Sequence, residues 1–286
     1  MEESEDNSFV PTQDTLKYRA VIPKPYDAIA LEAKFADRAV PGQQGGIKTL
    51  FIDDKPDSGK SAYATRSRIG KWHLNLDLGE EEEGTQIDLG HFTRVENVKN
   101  AAAKHLAASV LEIKDMIEQA KQHLLKQNDI VEVQVGETDR VIKGDYNLEA
   151  QAGADAMVYE AEIPMPEEYQ AIFDRYVDTM HNNHKGTMTF GDHVSGLIVA
   201  QQEDSGKWTA LGQGDLNYRR SFGKDIDEDD IVREICEDLA SLDMPDEMIL
   251  NHIRRHGVRN DEIRSINLNG RDFDLDPDFE TPEMAP

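Results

Sequence analysis

Apolar and polar residues alternate strictly through Trp72-His-Leu-Asn-Leu-Asp-Leu78, a pattern that predicts a half-buried strand with His73, Asn75 and Asp77 on a wet face. Shorter runs of strand character lie at 17–22, 47–52, 62–69, 129–135, 140–148, 157–163, 186–190, 194–201 and 208–218. Elsewhere the period changes. Val95, Val98, Ala102, Leu106, Val110, Ile113, Ile117, Ala120 and Leu124 keep helical spacing and predict one long helix over 95–127. Ile231, Ile235, Leu239 and Leu242 predict a second helix over 227–242, with Asp227, Glu228, Asp229 and Asp230 in its first turn, where carboxylates favour the helix dipole. Pro25 and Pro166 open further helices reaching Ala39 and Met180, and Asp243 with Pro245 starts a last one that ends at Gly257.

The pattern also repeats. Tyr18-Arg-Ala-Val-Ile-Pro-Lys-Pro25 and Tyr159-Glu-Ala-Glu-Ile-Pro-Met-Pro166 share the form Tyr-x-Ala-x-Ile-Pro-x-Pro. Leu50-Phe-Ile52 matches Leu197-Ile-Val199, Asp57-Ser-Gly-Lys60 matches Asp204-Ser-Gly-Lys207, and Arg66-x-x-Ile-Gly-Lys71 matches Arg219-x-x-Phe-Gly-Lys224. Four colinear matches predict a duplication. The expected fold class is α+β: two homologous domains related by a pseudo-twofold, each a small, mostly antiparallel sheet with packed helices. The expected boundaries are a flexible acidic tail over 1–16, a first copy over 17–150, a second over 151–269 and an acidic tail from 270 to 286.

Charge narrows the function. The chain of 286 residues has 57 Asp and Glu against 31 Lys and Arg, a formal net charge of −26. Such a field repels nucleic-acid phosphates and anionic lipid and attracts basic surfaces. No apolar run approaches a membrane span and the first residues are acidic, so a cytoplasmic protein is expected. The single cysteine, Cys236, falls in a helical apolar pattern and reads as a buried thiol. No metal or cofactor is implied.

Three acidic clusters are the candidate site: Glu80, Glu81, Glu82 and Glu83; Asp225, Asp227, Glu228, Asp229 and Asp230; and Asp272, Asp274, Asp276 and Asp278. An acidic surface of suitable spacing can occupy a channel built for phosphates. The expected function is a non-enzymatic acidic binding protein that engages a basic partner, such as the RNA- or DNA-binding face of a nuclease or polymerase, and inhibits or redirects it. Phage inhibitors of host enzymes resemble this chain in charge and size. An assembly protein, for example a homodimer, is a further alternative.

Other motifs weigh less. Asp57-Ser-Gly-Lys-Ser61 resembles the end of a phosphate-binding loop, yet Asp53, Asp54 and Asp57 would repel a phosphate, and a hairpin turn explains the residues better. His91-Phe-Thr93 and His193-Val-Ser195 are similar to the His-x-Thr/Ser motifs of two-histidine phosphoesterases. That resemblance implies a phosphodiesterase with one histidine as general base and the other as general acid. His91 follows its Asp-Ser-Gly-Lys turn and His193 precedes its own. His181 and His184 read as loop residues, and His252 and His256 as the basic end of a helix.

Overall fold

The computed structural model describes residues 11–12, 15–53, 60–77, 87–136, 140–143, 156–183, 186–192, 196–213 and 218–275. Among them are six helices and three sheets whose described pairings are antiparallel, a mixed α+β architecture. The order begins β1 (Thr15–Pro23), α1 (Tyr26–Asp37), β2 (Val40–Gln44), β3 (Ile47–Asp53), β4 (Ser61–Arg66), β5 (Trp72–Asp77) and β6 (Ile87–Phe92). Then come α2 (Val95–Val110), α3 (Ile113–Gln122), a 3-10 turn at Gln127–Asp129, β7 (Ile130–Val135) and β8 (Val141–Lys143). The chain continues through β9 (Ala156–Pro164), α4 (Glu167–Asp178), β10 (His181–Asn183), β11 (Thr187–Asp192), β12 (Gly196–Gln202), β13 (Trp208–Gln213) and β14 (Arg219–Phe222). It closes with α5 (Glu228–Asp243), α6 (Asp246–His256), a 3-10 turn at Asn260–Glu262, β15 (Ile263–Leu268) and β16 (Arg271–Asp274). Two sheets are meanders, β2 to β6 and β10 to β14, and the third has the order β16-β15-β9-β1-β7-β8.

The described residues divide into two compact units. One takes in those of 19–131, 144–161 and 257–286, the other those of 1–18, 132–143 and 162–256. In the first, alternation along β5 buries Trp72, Leu74 and Leu76. They join Leu50, Ile52, Ala62 and Ala64 in a core against Val98, Ala102, Ala103, Leu106 and Ala107 of α2. The alanines let α2 lie close to the sheet, and α1 adds Phe35. In the second unit, α4 packs on α5 and touches β11. Its buried residues include Phe173, Met188, Phe190, Ile198, Trp208, Ile231 and Ile235.

Several expectations change. The long helix over 95–127 breaks at Leu111, which adopts φ −64° and ψ 133° and separates α2 from α3. Pro25 and Pro166 are extended N-caps rather than first-turn residues, with ψ of 142° and 147°. Residues 15 and 16, expected in a tail, belong to β1. The expected tail from 270 starts as a strand, because Asn269 (φ 59°) and Gly270 (φ 81°) form a two-residue turn that returns β16 against β15. Pro41 lies in β2, an edge strand that needs no donor there.

The internal matches also shift. Leu50–Ile52 lies on β3, the second strand of its meander, while Leu197–Val199 lies on β12, the third of its own. Arg66–Lys71 spans the β4–β5 turn, whereas Arg219–Lys224 begins in β14. The Tyr18 and Tyr159 segments keep the same place, each a strand leading into a helix.

Candidate functional site

The acidic cluster at the start of α5 is built by helix-end chemistry. Asp227 is the N-cap, extended at φ −69° and ψ 146°, and its Oδ1 accepts the backbone N–H of Asp229 at 3.1 Å. Glu228, Asp229 and Asp230 fill the first turn, where the helix dipole offsets part of their mutual repulsion. Asp225, Asp227, Glu228 and Asp229 are exposed, and Asp230 is half-buried in an ion pair with Arg233. The result is an array of carboxylates facing water at the positive end of a sixteen-residue helix. Such an array concentrates negative charge at one place on the surface.

The other acidic residues are placed differently. Glu80, Glu81, Glu82 and Glu83 lie outside the described residues, as do Asp276 and Asp278. Asp272 and Asp274 stand exposed on β16, in the unit that holds α2, and Asp272 accepts a hydrogen bond from Asn267 Nδ2 at 2.6 Å. They share a strand hairpin rather than a tail.

A second polar group went unrecognised in the sequence. Glu237 and Asp238 on α5 are only 1% and 6% exposed. Asp238 Oδ2 accepts from the Tyr218 hydroxyl at 2.6 Å and from Arg220 Nη1 at 2.7 Å, and Arg220 Nη2 meets Glu234 Oε2 at 2.6 Å. Glu237 accepts from the Thr12 hydroxyl at 2.9 Å, and the Tyr169 hydroxyl donates to the Glu237 carbonyl at 3.4 Å. Burial pushes the Tyr169 and Tyr218 phenols far above their ordinary range, and nearby carboxylates add to the shift. Burial likewise raises the Glu234 carboxyl, against the pull of Arg220, and lifts the Cys236 thiol to about 12. Tyr218 and Arg220 on Asp238, with Arg220 also on Glu234, form a polar clamp. It fastens β14 to α5. The signal was the spacing of Glu234 and Asp238, four apart and so on one helix face, following Tyr218-Arg-Arg220.

Of the two histidine motifs, only the first falls among the described residues. His91 lies on β6, the last strand of its meander, opposite His73 on β5. His193 lies outside the described residues, in the connection between β11 and β12. His181, expected in a loop, pairs with Thr189 on the edge strand β10, and His184 lies outside the described residues. His252 Nε2 donates to the Pro164 carbonyl at 2.8 Å, so this histidine ties α6 to the end of β9. Asp204-Ser-Gly-Lys207 is a hairpin turn between β12 and β13, with Gly206 at φ 83°. Asp57, Ser58 and Gly59 lie outside the described residues, in the connection between antiparallel β3 and β4.

No helix among the described residues is long and apolar enough to cross a membrane. Comparison of the chain with family models, with curated proteins and with solved structures gave no match, so its function is argued from its own residues.

Proposed function

We propose that this chain is a non-enzymatic acidic binding protein that engages a basic surface of a partner, of the kind that otherwise holds nucleic-acid phosphates, and blocks or redirects it. The observation that carries this reading is the start of α5: four exposed carboxylates and a fifth paired one, in a chain of net charge −26. Charge of one sign concentrated at one place steers a basic partner and accelerates encounter, and the attraction weakens with salt. Nuclease and polymerase channels offer such surfaces because they bind a regular row of phosphates.

The same reading holds the chain to be a duplication of one unit, and its support is the order of elements. A strand, a helix, five strands, two helices, a 3-10 turn and two strands occur twice. The interval is 141 residues at the first strand and helix (156 − 15 and 167 − 26). It is 133 from the long helix onward (228 − 95 and 263 − 130). Between them, Gly70-Lys-Trp72 and Gly206-Lys-Trp208 lie 136 apart (206 − 70). Both form turns with glycine φ of 84° and 83°, closed by Ser67 N–H to Lys71 O at 2.7 Å and Glu203 N–H to Lys207 O at 2.8 Å. Each 3-10 turn is held by a carboxylate that accepts a backbone N–H three residues back, Asp129 from Lys126 at 2.8 Å and Glu262 from Arg259 at 2.7 Å.

The test is affinity capture by the intact chain and by a variant with Asp225, Asp227 and Asp229 changed to Asn and Glu228 to Gln. The reading expects a basic nucleic-acid-handling protein that is retained at low salt, displaced by added RNA or DNA, and lost from the variant. Equal retention by the variant, or no basic protein retained, refutes it.

A further inference from the structure

The meander β2 to β6 ends its apolar face in cations. Leu50 and Ile52 of β3 and Ala62 and Ala64 of β4 belong to the core, and strand alternation puts Lys48 and Arg66 on that same face. Beyond the last core residues the sheet and the start of α2 border an open groove of about 710 Å³. Lys48, Arg66 and Arg94 line it together with Gln43, Thr49 and the buried Trp72, and no carboxylate does among the described residues. Gly42 forms part of the wall, and a Cβ there would come within 2.7 Å of Thr49 Oγ1, so a larger residue would clash with the neighbouring strand.

Three cations without a carboxylate are unexpected in this composition. Several other arginines are matched, Arg19 with Glu160, Arg140 with Asp246, Arg175 with Asp243, and Arg220 with Glu234 and Asp238. Around the groove, Arg66 spends its Nε–H on the Gly70 carbonyl at 3.2 Å, while the exposed side chains of Lys48 and Arg94 have no ion-pair partner among the described residues. Arg94 is also the N-cap of α2 and provides no side-chain acceptor to the first turn, so the positive end of a sixteen-residue helix adds to the same field, offset in part by the exposed Glu96 in that turn.

We propose that this groove binds a small molecule carrying phosphate groups. Arginine matches phosphate oxygens with paired N–H donors and lysine adds a compact charge, while Gln43, opposite Lys48 in the register, provides an uncharged amide beside them. The volume is that of a small-ligand site. Size also argues against a long polyanion, because a nucleic acid would extend beyond the groove into the field of a chain with net charge −26, whereas a compact phosphate is screened from charges more than about 8 Å away at physiological salt. This site is separate from the carboxylates of α5 and stands or falls without them.

Titration calorimetry of the intact chain with pyrophosphate, at physiological salt, tests the proposal. Saturable binding of one pyrophosphate is expected, with affinity reduced about tenfold by either Lys48→Gln or Arg94→Gln, since each removes one charged donor. Arg255→Gln, an exposed arginine on α6, should leave the affinity unchanged. Because Lys48 and Arg94 are exposed, their variants should keep the parent melting temperature. Absence of binding at millimolar pyrophosphate, or binding that Arg255→Gln weakens as much as Arg94→Gln does, overturns the proposal. So does a single-stranded oligonucleotide that displaces pyrophosphate at lower phosphate concentration, which would make the groove a nucleic-acid site.

Discussion

Helices α2 and α5 hold the same place in the order of elements and have the same length, sixteen residues, yet they present opposite chemistry. α2 begins at Arg94, which leaves its first turn uncapped beside two further cations. α5 begins at Asp227, which caps its own helix and leads into three more carboxylates. Their buried faces differ as well. Where α2 turns Val98, Ala102, Ala103, Leu106, Ala107 and Ala108 to the core, α5 buries Glu237, Asp238 and Ser241 among its apolar residues. Two sixteen-residue helices at the same place in the order of elements thus carry opposite signs at their entries, and one buries a dry face, the other a hydrogen-bonded one.

The largest way to break the comparison is to remove the polar face of α5. Asp238→Ala takes the acceptor from both Tyr218 and Arg220 and leaves a partly buried guanidinium underpaired. A loss of about 3 kcal/mol in denaturant unfolding is expected. A loss below about 1 kcal/mol would mean that the clamp contributes little.

Exchanging the caps sharpens the contrast. Arg94→Asp should stabilise the chain by about 1 kcal/mol, because it adds a capping acceptor and a favourable charge at the dipole, while sharply weakening pyrophosphate binding. Asp227→Ala should cost about 1 kcal/mol, because the Asp229 N–H loses its acceptor. Thermal unfolding with and without ligand separates the two effects.

The smallest effect is a pH dependence that comes from a histidine on α2, a residue type that α5 does not carry. Burial lowers the pKa of His105 on α2 from its ordinary 6.5. The folded state therefore binds this proton less readily than the unfolded chain. The stability at issue is present above pH 6.5 and is lost as pH falls from there through the folded value. His105→Gln should flatten that part of the stability profile, and an unchanged profile would show that the histidine is not the cause.

Much of the fold could be read from the sequence where periodicity was strong. The alternation at Trp72–Leu76 and the spacing of Ile231, Ile235 and Leu239 both became buried faces. The break at Leu111 was hidden because Leu111 and Glu112 carry no glycine or proline and the apolar spacing runs straight through them. The corresponding break at Met244 is marked by Pro245. β16 was missed although Asn269-Gly270 is a strong hairpin signal, because the acidic residues after it dominated the reading. The α5 carboxylates were legible because they are consecutive. The groove was not, since Lys48, Arg66 and Arg94 come from three elements that only the folded sheet brings together.

The most direct test of the opposed helix entries is a pair of titrations followed by backbone amide NMR of the intact chain, one with pyrophosphate and one with a short oligolysine. Pyrophosphate should shift the amides of Gln43, Thr49 and residues 93–97 and leave residues 225–231 in place, and oligolysine should do the reverse. Shifts at the same residues with both probes, or at neither helix entry with either, would contradict the account.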